Sequence, residues 1–234
     1  MTRAKGRATR TTAIRLTRRP PASAAAGVAA PQETWPVPQP HPHPTEPVGA
    51  PGACPPAFLA FIGLGGNLGD VSATLASAAR AIGALPGTTL RAASSLYRTR
   101  PVDAEGPDYL NAVLAVDCAL APGELMRSLL RIEVEHDRQR PFRHAPRTVD
   151  LDLLWFGGAT RRSALLLLPH PRMDQRAFVL DPLAEVLDGL AQGAQPAGQA
   201  PLPVLPSLEQ REILARAQGI SRAWAFPLAI HDLV

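Results

Sequence analysis

An α+β sandwich is predicted by three observations: an apolar run closed by glycines at 58–64, two amphipathic helical stretches, and further β-rich stretches between and after them. The first run is short and bounded by glycine, as a buried strand is. Asp70 is placed to cap a helix carrying Leu75, Ala78, Ala79, Ile82 and Leu85 at helical spacing, and Pro86-Gly87 ends it. Residues 89–99 and 109–120 read as two strands joined by a loop through Asp103, Gly106 and Pro107. Pro122 suits the first turn of a second helix with Leu125, Leu129, Ile132 and His136 on its apolar stripe, which Met126 and Leu130 widen. That helix is expected to end near Arg138, and a polar loop over 139–147 leads into a strand starting at Val149. The order is βαββαβ, the split arrangement of a ferredoxin-like sandwich, an antiparallel sheet with both helices on one face. Beyond Gly157-Gly158, a strand at 164–168 and helices at 176–187 and 207–217 form a C-terminal strand and helix extension.

Composition divides the 234 residues unevenly. Twelve of the 26 prolines precede Ala57, and residues 1–20 carry seven Lys and Arg with no acid. Residues 1–56 therefore read as a disordered leader rich in Arg, Pro and Ala, since such a stretch buries too little apolar surface to offset its ordering entropy. Residues 57–190 are expected to form the folded domain and 191–234 a partly helical extension. The remainder has 17 basic against 20 acidic residues, so no basic face suited to nucleic acid is expected of the folded part.

The acid-free start fits a transit peptide, a dispensable extension or an upstream start codon. A twin-arginine signal is disfavoured because Pro20-Pro21 follows Arg18-Arg19 without a hydrophobic run. No apolar run approaches the length of a membrane span, and the one at 164–168 is closed by Pro169, so no span is expected. Cys54 and Cys118 give neither a disulfide framework nor zinc spacing, and the expectation is a cytoplasmic monomer.

The densest chemistry lies at 146–156. With period 2, Asp150 and Asp152 share one face of a strand while Val149, Leu151 and Leu153 occupy the other, which sets the acids about 7 Å apart. Two neighbouring carboxylates repel unless a cation sits between them, and Mg2+, a hard ion that takes oxygen ligands, suits the position. An amphipathic strand with a solvent-facing polar side is the bland alternative. Against it, Arg138, Arg140, Arg143, His144 and Arg147 crowd the preceding loop with no acid among 139–147, and His170, Arg172 and Arg176 follow in a second loop. Guanidinium groups at that density call for an anion, and beside a cation clamp the anion suggested is a polyphosphate.

Other motifs are weaker alone. The run 63–70, Gly-Leu-Gly-Gly-Asn-Leu-Gly-Asp, misses the dinucleotide fingerprint at Leu68 and reads as a tight strand-to-helix turn. Glu133 and His136 share a helix face. Tyr109 and Asn111 alternate on a strand, an aromatic plate beside an amide able to read a heterocycle edge.

In this order the chain resembles the 6-hydroxymethyl-7,8-dihydropterin pyrophosphokinase family of the folate pathway. The resemblance rests on 63–70, Ser94-Ser95-Leu96-Tyr97-Arg98-Thr99, Pro107-Asp108-Tyr109-Leu110-Asn111-Ala112, Arg131-Ile132-Glu133, 146–153, Leu168-Pro169-His170-Pro171-Arg172 and Arg176-Ala177-Phe178. It implies a ferredoxin-like fold and transfer of the β,γ-diphosphate of ATP to the pterin hydroxymethyl group, with release of AMP. It further implies that Asp150 and Asp152 hold two Mg2+ ions, with Asp152 aiding deprotonation of the hydroxyl. Arg138, Arg140, Arg143 and Arg147 would meet phosphates in or beside a mobile loop, while Glu133, Leu153, His170 and Arg176 would help seat ATP. Tyr109 and Phe178 would sandwich the pterin, Asn111 would bond its edge, and Thr99 and Val102 would border it. Gly66 stands where the family commonly has Ser, His144 where an aromatic is frequent, and Arg100 where Pro or an acid is frequent. Two rival readings are a non-catalytic ferredoxin-like module for ligand or RNA, and a binding protein tethered by its basic leader.

Overall fold

The computed structural model describes residues 56–101, 106–136, 148–192 and 200–228. The expected leader up to residue 55 and the arginine-rich loop 137–147 lie outside them. Along the chain come β1 (Phe58–Gly66), α1 (Val71–Gly83), β2 (Thr88–Ala93), β3 (Leu96–Thr99), β4 (Tyr109–Cys118), α2 (Pro122–Glu135) and β5 (Asp150–Phe156). A small hairpin of β6 (Arg161–Arg162) and β7 (Leu167–Leu168) follows, then a 3-10 turn (Met173–Gln175), α3 (Ala177–Ala191), α4 (Leu208–Gln218) and β8 (Ser221–Trp224). The strands of the main sheet run β5-β1-β4-β3-β8, with β2 also on β4, and every pairing is antiparallel. This is the α+β, ferredoxin-like order expected from the sequence.

Helix α1 starts where Asp70 Oδ1 accepts the Ala73 N–H at 3.0 Å, and it buries Leu75, Ala78, Ala79 and Ile82. Helix α2 buries Leu125, Leu129 and Ile132, but Leu130, expected on the stripe, is exposed. Both helices pack on one side of the sheet against Ile62, Leu64, Leu114 and Leu151. Helix α3 covers the opposite side, where Val179, Leu183 and Val186 meet Phe61, Val113, Leu154 and Trp155. Two sequence-adjacent residues, Leu154 and Trp155, reach that side because β5 shifts register against β1 between Phe61 and Ile62, leaving Leu154 as the extra residue of a β-bulge.

The single strand expected at 89–99 is broken in two at Ser94-Ser95. There the Val113 N–H donates to Ser94 Oγ at 3.0 Å, so a side chain replaces a carbonyl in the ladder. The break is held from α3: the Glu185 carboxylate accepts from the Ser95 N–H (3.0 Å), the Tyr97 hydroxyl (2.9 Å) and Arg222 of β8 (2.8 Å). Burial first, and the Glu185 carboxylate second, push the Tyr97 phenol above its ordinary range, which keeps it a donor. The strand expected at 164–168 contracts to two residues. β8, which the sequence reading did not anticipate, pairs with β3 at Leu96, Tyr97 and Arg98. No helix among the described residues is long and apolar enough to cross a membrane.

Candidate active site

β1 carries glycine where its neighbours carry chemistry. Gly65 pairs with Asp150 on one side and Asn111 on the other, and Gly63 pairs with Asp152 and Val113. The acids and the amide thus stand two strand spacings apart, about 10 Å, across a strip of sheet with no side chains. That strip floors a cavity of about 540 Å3 under α3. A Cβ at Gly65 would meet Asn111 Oδ1 at 3.0 Å, so the absent side chain gives the amide its place. A Cβ at Gly66 would run into the Thr148 carbonyl oxygen, the backbone just before β5. The sequence alone suggests a turn at these glycines; β1 instead continues through Gly66, and the turn follows it.

On the Asn111 side, the buried amide donates to Thr99 Oγ1 at 3.0 Å, and both residues line the cavity with Tyr109 and Arg100. On the acid side, Asp150 and Asp152 face the same cavity as expected. Arg176 comes from the turn before α3; its Nη1 lies 3.9 Å from Asp152 Oδ2 and its guanidinium 5.4 Å from the centre of the Phe178 ring. Phe178, Arg172 and His170 complete this wall. His170 Nδ1 accepts the Arg172 N–H at 3.2 Å, so the neutral ring carries its proton on Nε2. Burial lowers its pKa against the pull of Asp152, with Arg176 and Arg172 acting in the same direction as burial.

Thr99, Tyr109, Asn111, Asp150, Asp152, His170, Arg176 and Phe178 are therefore brought to one cavity. Two other expected site residues are not among its lining. Leu153 is buried on the side of β5 that faces α1 and α2, and Glu133, 1% exposed on α2, accepts the Leu151 N–H at 2.7 Å. Arg138, Arg140, Arg143, Arg147 and Val102 lie outside the described residues. Cavity residues to which the sequence alone assigns no role include Gly63, Gly65, Gln175 and Gln218. For the glycines a signal existed, their period-2 spacing inside an apolar run. For Gln218, on a helix remote in sequence, there was none.

Among the described residues no third His, Cys, Asp or Glu joins Asp150 and Asp152 to make a closed metal cage. Two carboxylates alone suit a hard cation that completes its shell with water and substrate oxygens, as Mg2+ does in phosphate chemistry. The arrangement can therefore hold a cation-bound polyanion at β5 and a flat, hydrogen-bonding ring above Asn111.

Residues 61–188 match the model of the 7,8-dihydro-6-hydroxymethylpterin-pyrophosphokinase (HPPK) family. The chain belongs to the HPPK family. It is 40% identical over 149 residues to the 2-amino-4-hydroxy-6-hydroxymethyldihydropteridine pyrophosphokinase of Methylorubrum extorquens, spanning 63% of this chain and 94% of that protein. To the protein of the same name from Synechocystis it is 41% identical over 127 residues, 54% of this chain and 65% of the relative. To that from Pseudomonas aeruginosa it is 41% identical over 131 residues, 56% of this chain and 81% of the relative. The HPPK match runs from within β1 into α3, so it holds the glycine strip, the acids and Phe178, while α4 and Gln218 lie beyond it.

Proposed function

We propose that the chain transfers the β,γ-diphosphate of ATP to 6-hydroxymethyl-7,8-dihydropterin, releasing AMP, as a monomeric cytoplasmic enzyme of folate biosynthesis. The observation that carries this reading is the pairing of Asp150, Gly65 and Asn111 across three adjacent strands, which gives one cavity a cation-binding end and a ring-reading end.

Asp150 and Asp152 fit a divalent cation by donor type and shared face, and two Mg2+ ions held there would neutralise the triphosphate of ATP. Arg176, beside Asp152, adds positive charge on the same wall, and neutral His170 offers its Nε2–H to a phosphate oxygen. Asn111 and Thr99 read the pterin edge while Tyr109 and Phe178 bound its faces. In the transfer, the pterin hydroxyl oxygen bonds to Pβ, the bond from Pβ to the α,β-bridging oxygen breaks, and AMP leaves with that oxygen; Asp152 assists loss of the hydroxyl proton. The protein's share is positioning and electrostatics, as phosphoryl-type transfers require. Arg138, Arg140, Arg143 and Arg147 join from the loop before β5, and Val102 borders the pterin. Glu133 and Leu153, expected to help seat ATP, do so indirectly: Glu133 bonds the Leu151 N–H behind β5, and Leu153 buries that strand's other face in the core.

A ligand or RNA module on this framework would use an open sheet face, whereas α3 covers the face that carries Asn111. Chromatography of ATP incubated with Mg2+ and the hydroxymethyl pterin tests the proposal: AMP and the pterin diphosphate are expected in equal amounts. Folded protein that releases no AMP, or releases ADP instead, would overturn it.

A further inference from the structure

We infer that Gln218, the last residue of α4, is a positioning residue for both substrates, acting through the turn that presents Arg176 and Phe178. The inference rests on the pyrophosphokinase reading and extends it past residue 188, where the family match ends. Gln218 Oε1 accepts the Ala177 N–H at 2.9 Å, and Gln218 Nε2 donates to the Gln175 carbonyl at 2.9 Å. One amide thus grips the backbone on both sides of Arg176. Because one bond is to an N–H and the other to a carbonyl, the amide has only one orientation that satisfies both.

The Ala177 N–H needs such a partner. It is among the first N–H groups of α3, which have no carbonyl within the helix, and Arg176 at the N-cap makes no side-chain capping bond. Gln218 supplies the missing acceptor from another helix. Arg176 is held extended, at φ −119° and ψ 107°, where its guanidinium lies between Asp152 and the Phe178 ring.

Core packing does not explain the place of helix α4. None of its 11 residues is buried, so it adds little to the core. Its position is nevertheless fixed: Gly219 turns the chain at φ 61°, and β8 then pairs with β3. A Cβ on Gly219 would stand 4.0 Å from Arg100, the cation on the opposite lip of the cavity. Gln218 is therefore carried on a segment anchored to one wall while its amide fastens the other.

The test uses the full chain with Gln218→Met, which keeps the length of the side chain and loses both bonds, and Gln218→Ala beside it. Both are expected to raise KM for ATP and for the pterin roughly fivefold to tenfold, the scale of one lost hydrogen bond, with kcat within about threefold. Melting temperatures are expected to stay within a few degrees of wild type. An active wild type beside a variant of unchanged KM for both substrates overturns this inference alone, as does a loss of kcat that merely follows a lowered melting temperature. Should Gln218→Met fail to fold, the same comparison is read from Gln218→Ala. A folded wild type that forms no AMP removes the underlying reading, and the inference with it.

Discussion

The Glu133 carboxylate of α2 accepts the Leu151 N–H at 2.7 Å, and Leu151 is the residue between Asp150 and Asp152. A buried helix side chain thus takes a backbone bond from the acid-bearing strand, at the point where that strand must hold two like charges toward one cavity. Truncating it leaves a buried N–H without its acceptor. Glu133→Ala is expected to cost about 2–3 kcal/mol of stability in urea unfolding and to raise the Mg2+ concentration needed for half-maximal activity. Glu133→Gln, which retains an acceptor oxygen, is expected to lose less of both. Equal effects of the two substitutions would contradict the assignment.

The glycine strip gives a second expectation. In Gly65→Ala the new methyl must displace the Asn111 amide, from which it would otherwise stand at 3.0 Å. KM for the pterin should rise by about tenfold or more, while KM for ATP stays near wild type. In Gly66→Ala the methyl meets backbone at Thr148, so a loss of about 1–3 kcal/mol in stability is expected instead. Steady-state kinetics and thermal melts separate the two. A Gly65→Ala enzyme with unchanged pterin KM would show that the strip does not floor the pterin site.

Much of this was legible in the chain because the fold repeats simple periods. The spacing of Leu75, Ala79 and Ile82, and of Leu125, Leu129 and Ile132, marked two one-sided helices, and alternation around Asp150 and Asp152 marked a strand with an acid face. What periodicity cannot report is a partner distant in sequence. The Ser94-Ser95 break looks like continuous strand until Val113 and Glu185 are in place. β8 is four residues long without an apolar alternation, and it exists because β3 offers it an edge. Gly63 and Gly65 suggest a turn in the sequence because glycine most often punctuates; in the fold they continue β1 and line the cavity.

Asp181 on α3 carries a pH expectation. Burial raises its pKa above the ordinary 3.8, and Arg211 of α4 opposes that only in part. A carboxyl raised on folding contributes stability below its unfolded pKa and loses it as pH rises through the folded value. At pH 7 the charged, half-buried form is therefore a small liability. Asp181→Asn is expected to melt higher than wild type at pH 7, by under about 1 kcal/mol, and the advantage should vanish below pH 3.8. A variant that melts lower at pH 7 would mean that attraction to Arg211 outweighs desolvation.

The central claim is that Asp150 and Asp152 jointly present a divalent cation to the phosphates of ATP. It is tested most directly by measuring the rate of AMP formation against Mg2+ concentration for wild type, Asp150→Asn and Asp152→Asn. Each substitution should lower the rate at saturating substrates by at least about a hundredfold, with the circular dichroism melt within a few degrees of wild type. A rate within about twofold of wild type in either folded variant would contradict the claim.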